Sequence, residues 1–195
     1  MAGVTNNPAP WPERGSRAGP DLILFRTRWN KLVNPRTGDE LERLVLETPD
    51  WVNAIALTPD ERVVIVRQFR FGTSDVTREI PGGMVHRDEP HGEAAARELR
   101  EETGYTASDW TYLGASEPNP AFHDNLCHHW LARGAVRTHE IELDPGEDIV
   151  VETVPLPELV AAIQAGEIRH SLVIAAVARI TDLSRDGGFG TVQPD

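Results

Sequence analysis

Cys127 is the single cysteine among 195 residues, so no internal disulfide framework can form and the chain suits a reducing compartment. No stretch approaches the roughly 18 consecutive apolar residues of a membrane-spanning helix. The N-terminus also lacks the apolar core of a signal peptide, so a cytoplasmic protein without membrane contact is expected. Basic charge is scarce: 19 Lys and Arg stand against 31 Asp and Glu, a formal net charge of −12. That balance argues against a nucleic-acid partner, whose backbone requires a basic footprint. It does not argue against a small anionic substrate, because bound cations reverse the local field. Internal repeats, a P-loop, a dinucleotide-binding fingerprint and a serine-nucleophile motif are all missing.

What is present reads as one domain with trimmings. Residues 1–20, with Pro8, Pro10, Pro12 and Pro20, read as a flexible arm; residues 21–183 as a single domain; and 184–195 as a loose tail. Strands are expected at 22–28 and 41–46, joined by a turn at 34–38, and then at 51–57, 62–69, 77–81, 110–115, 126–132 and 149–154. In 62–69 the apolar residues Val63, Val64, Ile65 and Val66 fall on both faces, as in a sheet covered on two sides. Helices are expected at 93–102, 157–165 and from a Ser171 cap to about 183. The pattern predicts an α/β fold, with helices on both faces of a mixed sheet and an N-terminal strand pair ahead of it.

The most informative segment is GMVHRDEPHGEAAARELREETGY, residues 83–105, which EIPG at 79–82 leads into. The run 93–102 is made of strong helix formers, and Gly104 is a natural stop. Glu98 and Glu102 then sit one turn apart on one face, with Glu101 on its flank. Like charges at such offsets cost roughly 0.2–0.5 kcal/mol per pair, so a positive partner is wanted. Arg97 and Arg100 point away from that line, although Arg97 can pair with Glu93 or Glu101 at four residues' distance. Ala95 and Leu99 put the acidic edge beside a packed face. Magnesium, a hard cation that accepts oxygen ligands, fits the requirement. A merely solvated acidic helix is the competing reading. Gly82-Gly83 weighs against it, because a tight glycine loop lets backbone carbonyls approach an ion.

Gly83, Glu89, Arg97-Glu98-Leu99, Glu101-Glu102 and Gly104-Tyr105 together resemble the signature of the Nudix hydrolases, which use divalent cations to cut a diphosphate linked to a nucleoside. The resemblance implies a Nudix-type α/β/α sandwich and Mg2+ as cofactor, with Mn2+ able to substitute. It makes Glu98 and Glu102 the main metal ligands, with Glu101 assisting and the Gly82 carbonyl completing the shell, and it gives Arg97 the task of orienting the carboxylates. Glu89 is either a supporting residue or a plain surface acid. Residues 66–85, VRQFRFGTSDVTREIPGGMV, look like the ADP-ribose and nucleoside-diphosphate-sugar pyrophosphatases. In that subgroup a residue matching Arg70 contacts substrate phosphates. Pro120, 15 residues after Tyr105, has a spacing associated with the same subgroup. Residues 146–159 are similar to its later loop, where Glu147 would bind metal or orient water. Catalysis would thus rest on Arg97, Glu101, Glu102 and Glu147.

Two departures stand out. Pro145 replaces the first acid of a Glu-X-Glu pattern, leaving Glu147, Asp148 or a hydroxide generated at the cation as the base. Ala121-Phe122-His123-Asp124-Asn125 replaces the familiar loop after Pro120, so a different sugar, or several, could be read there. Trp51 and Trp29 could stack on a nucleobase, with core or interface packing as the alternative role. The N-terminal strands resemble those that mediate homodimers in the subgroup. His123, Cys127, His128 and His129 do not match a zinc pattern; Cys127 and His129 should face opposite to His128, giving one buried and one wet histidine. The expected reaction is Mg-dependent hydrolysis of ADP-ribose or a related nucleoside diphosphate sugar to a nucleoside monophosphate and a sugar phosphate. The alternatives are a Nudix hydrolase of dinucleoside polyphosphates, nucleoside triphosphates or GDP-sugars, and a non-catalytic nucleotide-sugar-binding module.

Overall fold

The computed structural model describes residues 8–184. Residues 1–7 of the expected arm and 185–195 of the expected tail lie outside them. Contacts divide the chain into two compact units, one running through Thr48 and including Asn119–Asn125, the other made of Pro49–Pro118 and Leu126 onward.

The first unit is an antiparallel sheet of β1 (Glu13–Asp21), β2 (Arg26–Val33) and β3 (Glu40–Glu47), in that order. The expected antiparallel pair is present as β2 and β3, and residues 13–21, all but the last expected within the arm, add a third strand beside it. Prolines argued against it, but β1 pairs only with β2, and proline is tolerated on an edge strand. Pro20 contributes by accepting the Thr27 hydroxyl at 2.7 Å through its carbonyl. The strand expected from residue 22 starts at Arg26, because Asp21 Oδ1 accepts the Ile23 N–H and Leu22 N–H donates to Phe25 O, closing a turn there.

The second unit follows the expected pattern more closely. Its strands are β4 (Trp51–Leu57), β5 (Arg62–Arg70), β6 (Asp75–Glu79), β7 (Tyr105–Thr106), β8 (Asp109–Ser116), β9 (Cys127–Arg133), β10 (Val136–Arg137) and β11 (Ile149–Pro155). Its helices are α1 (His91–Thr103), α2 (Leu156–Gln164) and α3 (Ser171–Val177). The main sheet runs β11-β5-β4-β9-β8, with β6 pairing along β5 beyond the β4 contact. β4 and β9 are parallel and the other pairs antiparallel, so the sheet is mixed as expected.

Both faces of this sheet are covered. Ile55, Leu57, Val63, Ile65 and Leu131 pack against Leu159, Ala162, Val173, Ala176 and Val177 of α2 and α3. Ala56, Val64 and Ala132 point the other way, onto Leu99 of α1, with Val52 against Ala94 and Ala95 beside them. Val63 to Val66 are at most 2% exposed, each side chain contributing roughly 1.5–3 kcal/mol by leaving water. α1 is therefore pinned by its Ala94, Ala95 and Leu99 stripe, which fixes where its carboxylates stand. It starts at His91, two residues earlier than expected, because Pro90 already holds an extended N-cap backbone. α3 ends at Val177 rather than near Leu183, in a turn closed by Ile180 and Thr181 N–H on Val177 O.

Candidate active site

The loop ahead of α1 lies along β4. Ala54 N–H donates to Pro81 O and Val52 N–H to Gly83 O, each at 2.9 Å, and Val85 N–H donates to Asp50 O at 2.8 Å. Among the described residues the Gly82 carbonyl between them accepts no hydrogen bond. Close approach of backbone excludes a side chain at Gly82, and Glu98 crowds one at Gly83. A Cβ on Gly82 would collide with the Val52 carbonyl and stand 2.7 Å from Asn53 Cα. One on Gly83 would lie 2.5 Å from Glu98 Oε1.

Glu102 is 5% exposed and accepts the Gly82 N–H at 2.9 Å. Burial pushes its carboxyl up to about 8, with the Glu98 and Glu147 charges adding to the effect and the Gly82 N–H opposing it. Burial likewise raises Glu98, against the pull of Arg97. Glu101, on the flank, is more open. Two carboxylates one turn apart, Glu102 buried and Glu98 half-buried, both driven toward the neutral acid, form a site that a cation would relieve.

Arg97 organises the acids. Its guanidinium donates to Glu89 Oε1 and Oε2 at 2.8 and 3.0 Å, to Glu98 Oε1 at 2.8 Å, to Glu101 Oε2 at 3.1 Å and to Met84 O at 3.0 Å. The pairing expected with Glu101 forms, and Glu93 is passed over in favour of Glu89. Glu89 is more than a plain surface acid: the Arg97 fork holds its carboxyl down at about 2, and it also accepts the His86 N–H. The same contacts raise the Arg97 pKa further above its usual value.

Arg70 forks onto Glu79, with both N···O distances 2.7 Å, while its side chain stays 43% exposed. Glu79 is 4% exposed, accepts the Thr77 hydroxyl, and has His170 Nε2 at 3.5 Å. Burial works to raise Glu79, but the Arg70 fork and its other partners hold it below the usual range. Glu79 and His170 escaped the sequence reading; the available signal was a buried acid directly before Ile80-Pro81, which needs a partner. Glu147 sits in a turn where its N–H donates to Asp144 O and its Oε2 accepts the Asp144 N–H, both at 3.0 Å. Its charge is felt at Glu98, Glu102 and Arg70. The structure thus brings together Gly82, Arg97, Glu98, Glu101 and Glu102, with Arg70 and Glu147 within electrostatic reach. Trp51 meets the glycine loop through a backbone bridge to Met84.

The histidines of β9 are both buried, correcting the expected wet one. His128 accepts or donates to Tyr112 Oη at 2.9 Å and stacks on His91 with ring centroids 4.1 Å apart. His129 lies between Ser116 Oγ and Asn53 Oδ1, each at 2.7 Å.

A family model described as the NUDIX domain matches residues 47–176, which include the whole of this site. The chain belongs to that family and is a Nudix pyrophosphohydrolase. It is 33% identical over 141 residues to an ADP-ribose pyrophosphatase of Bacillus subtilis (strain 168), covering 72% of this chain and 76% of the relative. It is 30% identical over 173 residues to an ADP-ribose pyrophosphatase of Mycobacterium tuberculosis (strain ATCC 25618 / H37Rv), covering 88% and 82%. A crystal structure of an ADP compounds hydrolase superposes with a TM-score of 0.79 at 18% identity, covering 90% of this chain and 95% of that one, which bears on the fold.

Proposed function

We propose that this protein hydrolyses the diphosphate of ADP-ribose or a related nucleoside diphosphate sugar, with Mg2+ as cofactor, giving a nucleoside monophosphate and a sugar phosphate. The observation that carries this reading is the Glu98–Glu102 pair facing the Gly82–Gly83 loop, with Arg97 locking the surrounding acids. Glu98, Glu102 and the Gly82 carbonyl would hold the cation, Glu101 assisting. Among the described residues no group of three or more His, Cys, Asp or Glu is arranged to hold a metal ion alone. Magnesium usually shares one or two carboxylates with waters and substrate phosphates. When bound, it supplies charge to the diphosphate and acidifies an attacking water.

The chain's own residues do the remainder. Arg97 keeps three carboxylates in one geometry and prevents each from turning to solvent. Glu147 accepts the proton of the attacking water through the oxygen its own turn leaves open. Arg70, anchored by Glu79 yet partly exposed, offers its free N–H edge to a phosphate oxygen. Trp51 stacks on the base. The protein works as a homodimer in the cytoplasm.

Glu102→Gln tests the reading. The amide oxygen can still accept the Gly82 N–H, so folding should persist while metal-dependent turnover falls by about 100-fold or more. Undiminished turnover would remove Glu102 from the metal site.

A further inference from the structure

Arg100 lies between the working acids in sequence, yet its side chain leaves their line. We propose that Arg100 is a positioning residue that clamps the Glu147-bearing segment onto the carboxylate helix, which rests on the roles given above to Glu101 and Glu147. One guanidinium nitrogen donates to Glu101 Oε1 at 2.8 Å and another to Glu142 Oε2 at 2.9 Å. The backbone repeats the bridge: Glu142 N–H donates to Glu101 O at 2.8 Å. Thr138 and His139 N–H both donate to Gly104 O, at 2.9 and 3.1 Å. The segment 138–142 therefore crosses the C-terminal end of α1 and satisfies carbonyls that a helix end leaves without partners.

Beyond Glu142 the chain runs through half-buried Leu143 and exposed Pro145 to Glu147, whose turn is closed by its own contacts with Asp144. Fixing Glu142 therefore fixes where that turn starts. The same arginine also sets Glu101 Oε1, while Arg97 holds Oε2, so the Glu101 carboxylate is gripped from both sides. The Arg100 and Glu142 side chains are 30% and 61% exposed. Exposed pairs of this kind contribute little to global stability. The clamp should accordingly appear in rate and not in melting behaviour.

The test uses the full chain with ADP-ribose and Mg2+, comparing the neutral variants Arg100→Met and Glu142→Gln with the conservative Arg100→Lys. Each neutral variant should lower kcat about tenfold, as misplaced groups do, with KM and melting midpoint near wild type. Arg100→Lys, which keeps a cation between Glu101 and Glu142, should retain most of the rate. Wild-type kcat in both neutral variants would overturn the clamp, as would a rate loss that follows a lowered melting midpoint without retention in Arg100→Lys. A second readout is independent of substrate: amide exchange across 138–147 should speed up in both neutral variants, and unchanged exchange would overturn the proposal. Lack of ADP-ribose turnover by the wild type would refute the proposed reaction, leaving the clamp to be judged by exchange.

Discussion

Gly83→Ala separates the fold from the chemistry better than any other single change. Gly83 does not occupy the left-handed region, so an alanine backbone is unstrained there. The new Cβ would stand 2.5 Å from Glu98 Oε1, 2.6 Å from Cδ and 2.7 Å from Oε2, whereas ordinary contact begins at 3.4 Å. The carboxylate must retreat by about 0.8 Å, the difference between 3.4 and 2.6 Å. What yields is the end of a side chain, so the cost to stability should stay near 1 kcal/mol or below. Catalysis should suffer far more, because a misplacement of about 1 Å can cost on the order of 100-fold in rate. Gly82→Ala is the control, since its Cβ would meet the Val52 carbonyl and the Asn53 backbone of a central strand. Backbone cannot step aside, and about 1–3 kcal/mol of stability should be lost. The assay is steady-state hydrolysis with saturating Mg2+ beside thermal melts of both variants. A Gly83→Ala enzyme with near-wild-type kcat, or one that melts as early as Gly82→Ala, would refute the steric argument.

Arg97→Lys keeps one charge but loses the fork that binds Glu89, Glu98 and Glu101 together. It should lower kcat about 10- to 100-fold, and retention of full activity would show that charge alone suffices. His129 is fully buried, and burial holds its pKa down to about 4. The unfolded state therefore binds more protons between about pH 6.5 and 4, so stability should fall as pH drops through that window and level off below it. The full loss is on the order of 3 kcal/mol; denaturant melts across pH 4–7.5 read it, and an imidazole titrating near 6.5 by NMR would contradict it. The Cys127 thiol is buried and pushed up to about 12, so the native protein should resist alkylation at pH 8 and react only on unfolding. Rapid native labelling would show that β9 opens locally.

The helix that carries the site was legible because its information is local. Glu98 and Glu102 are one turn apart, Ala94, Ala95 and Leu99 mark the packed side, and Gly104 marks the stop. The glycine loop was legible for the same reason. What Arg97 does was only half legible. Helical spacing offers Glu93 and Glu101, but the choice of Glu89 depends on how the 84–90 loop folds back, which periodicity does not encode. The Arg70–Glu79 fork reaches diagonally along the β5–β6 pair, whose register sets Arg70 opposite Asp75 and Glu79 opposite Val66, and the β9 histidines owe their burial to Asn53, Ser116 and Tyr112, all distant in sequence. β1 was obscured by proline and glycine, since its strand state comes from pairing with β2 and not from its own propensity.

Hydrolysis of ADP-ribose, ADP-glucose, GDP-mannose, diadenosine polyphosphates and deoxynucleoside triphosphates, with and without Mg2+, tests the central claim most directly. Products should be identified by mass. Metal-dependent release of AMP and ribose 5-phosphate, with ADP-ribose favoured over the other compounds, is the predicted result. Tight binding of a nucleotide sugar with no turnover of any compound at any Mg2+ concentration would contradict it.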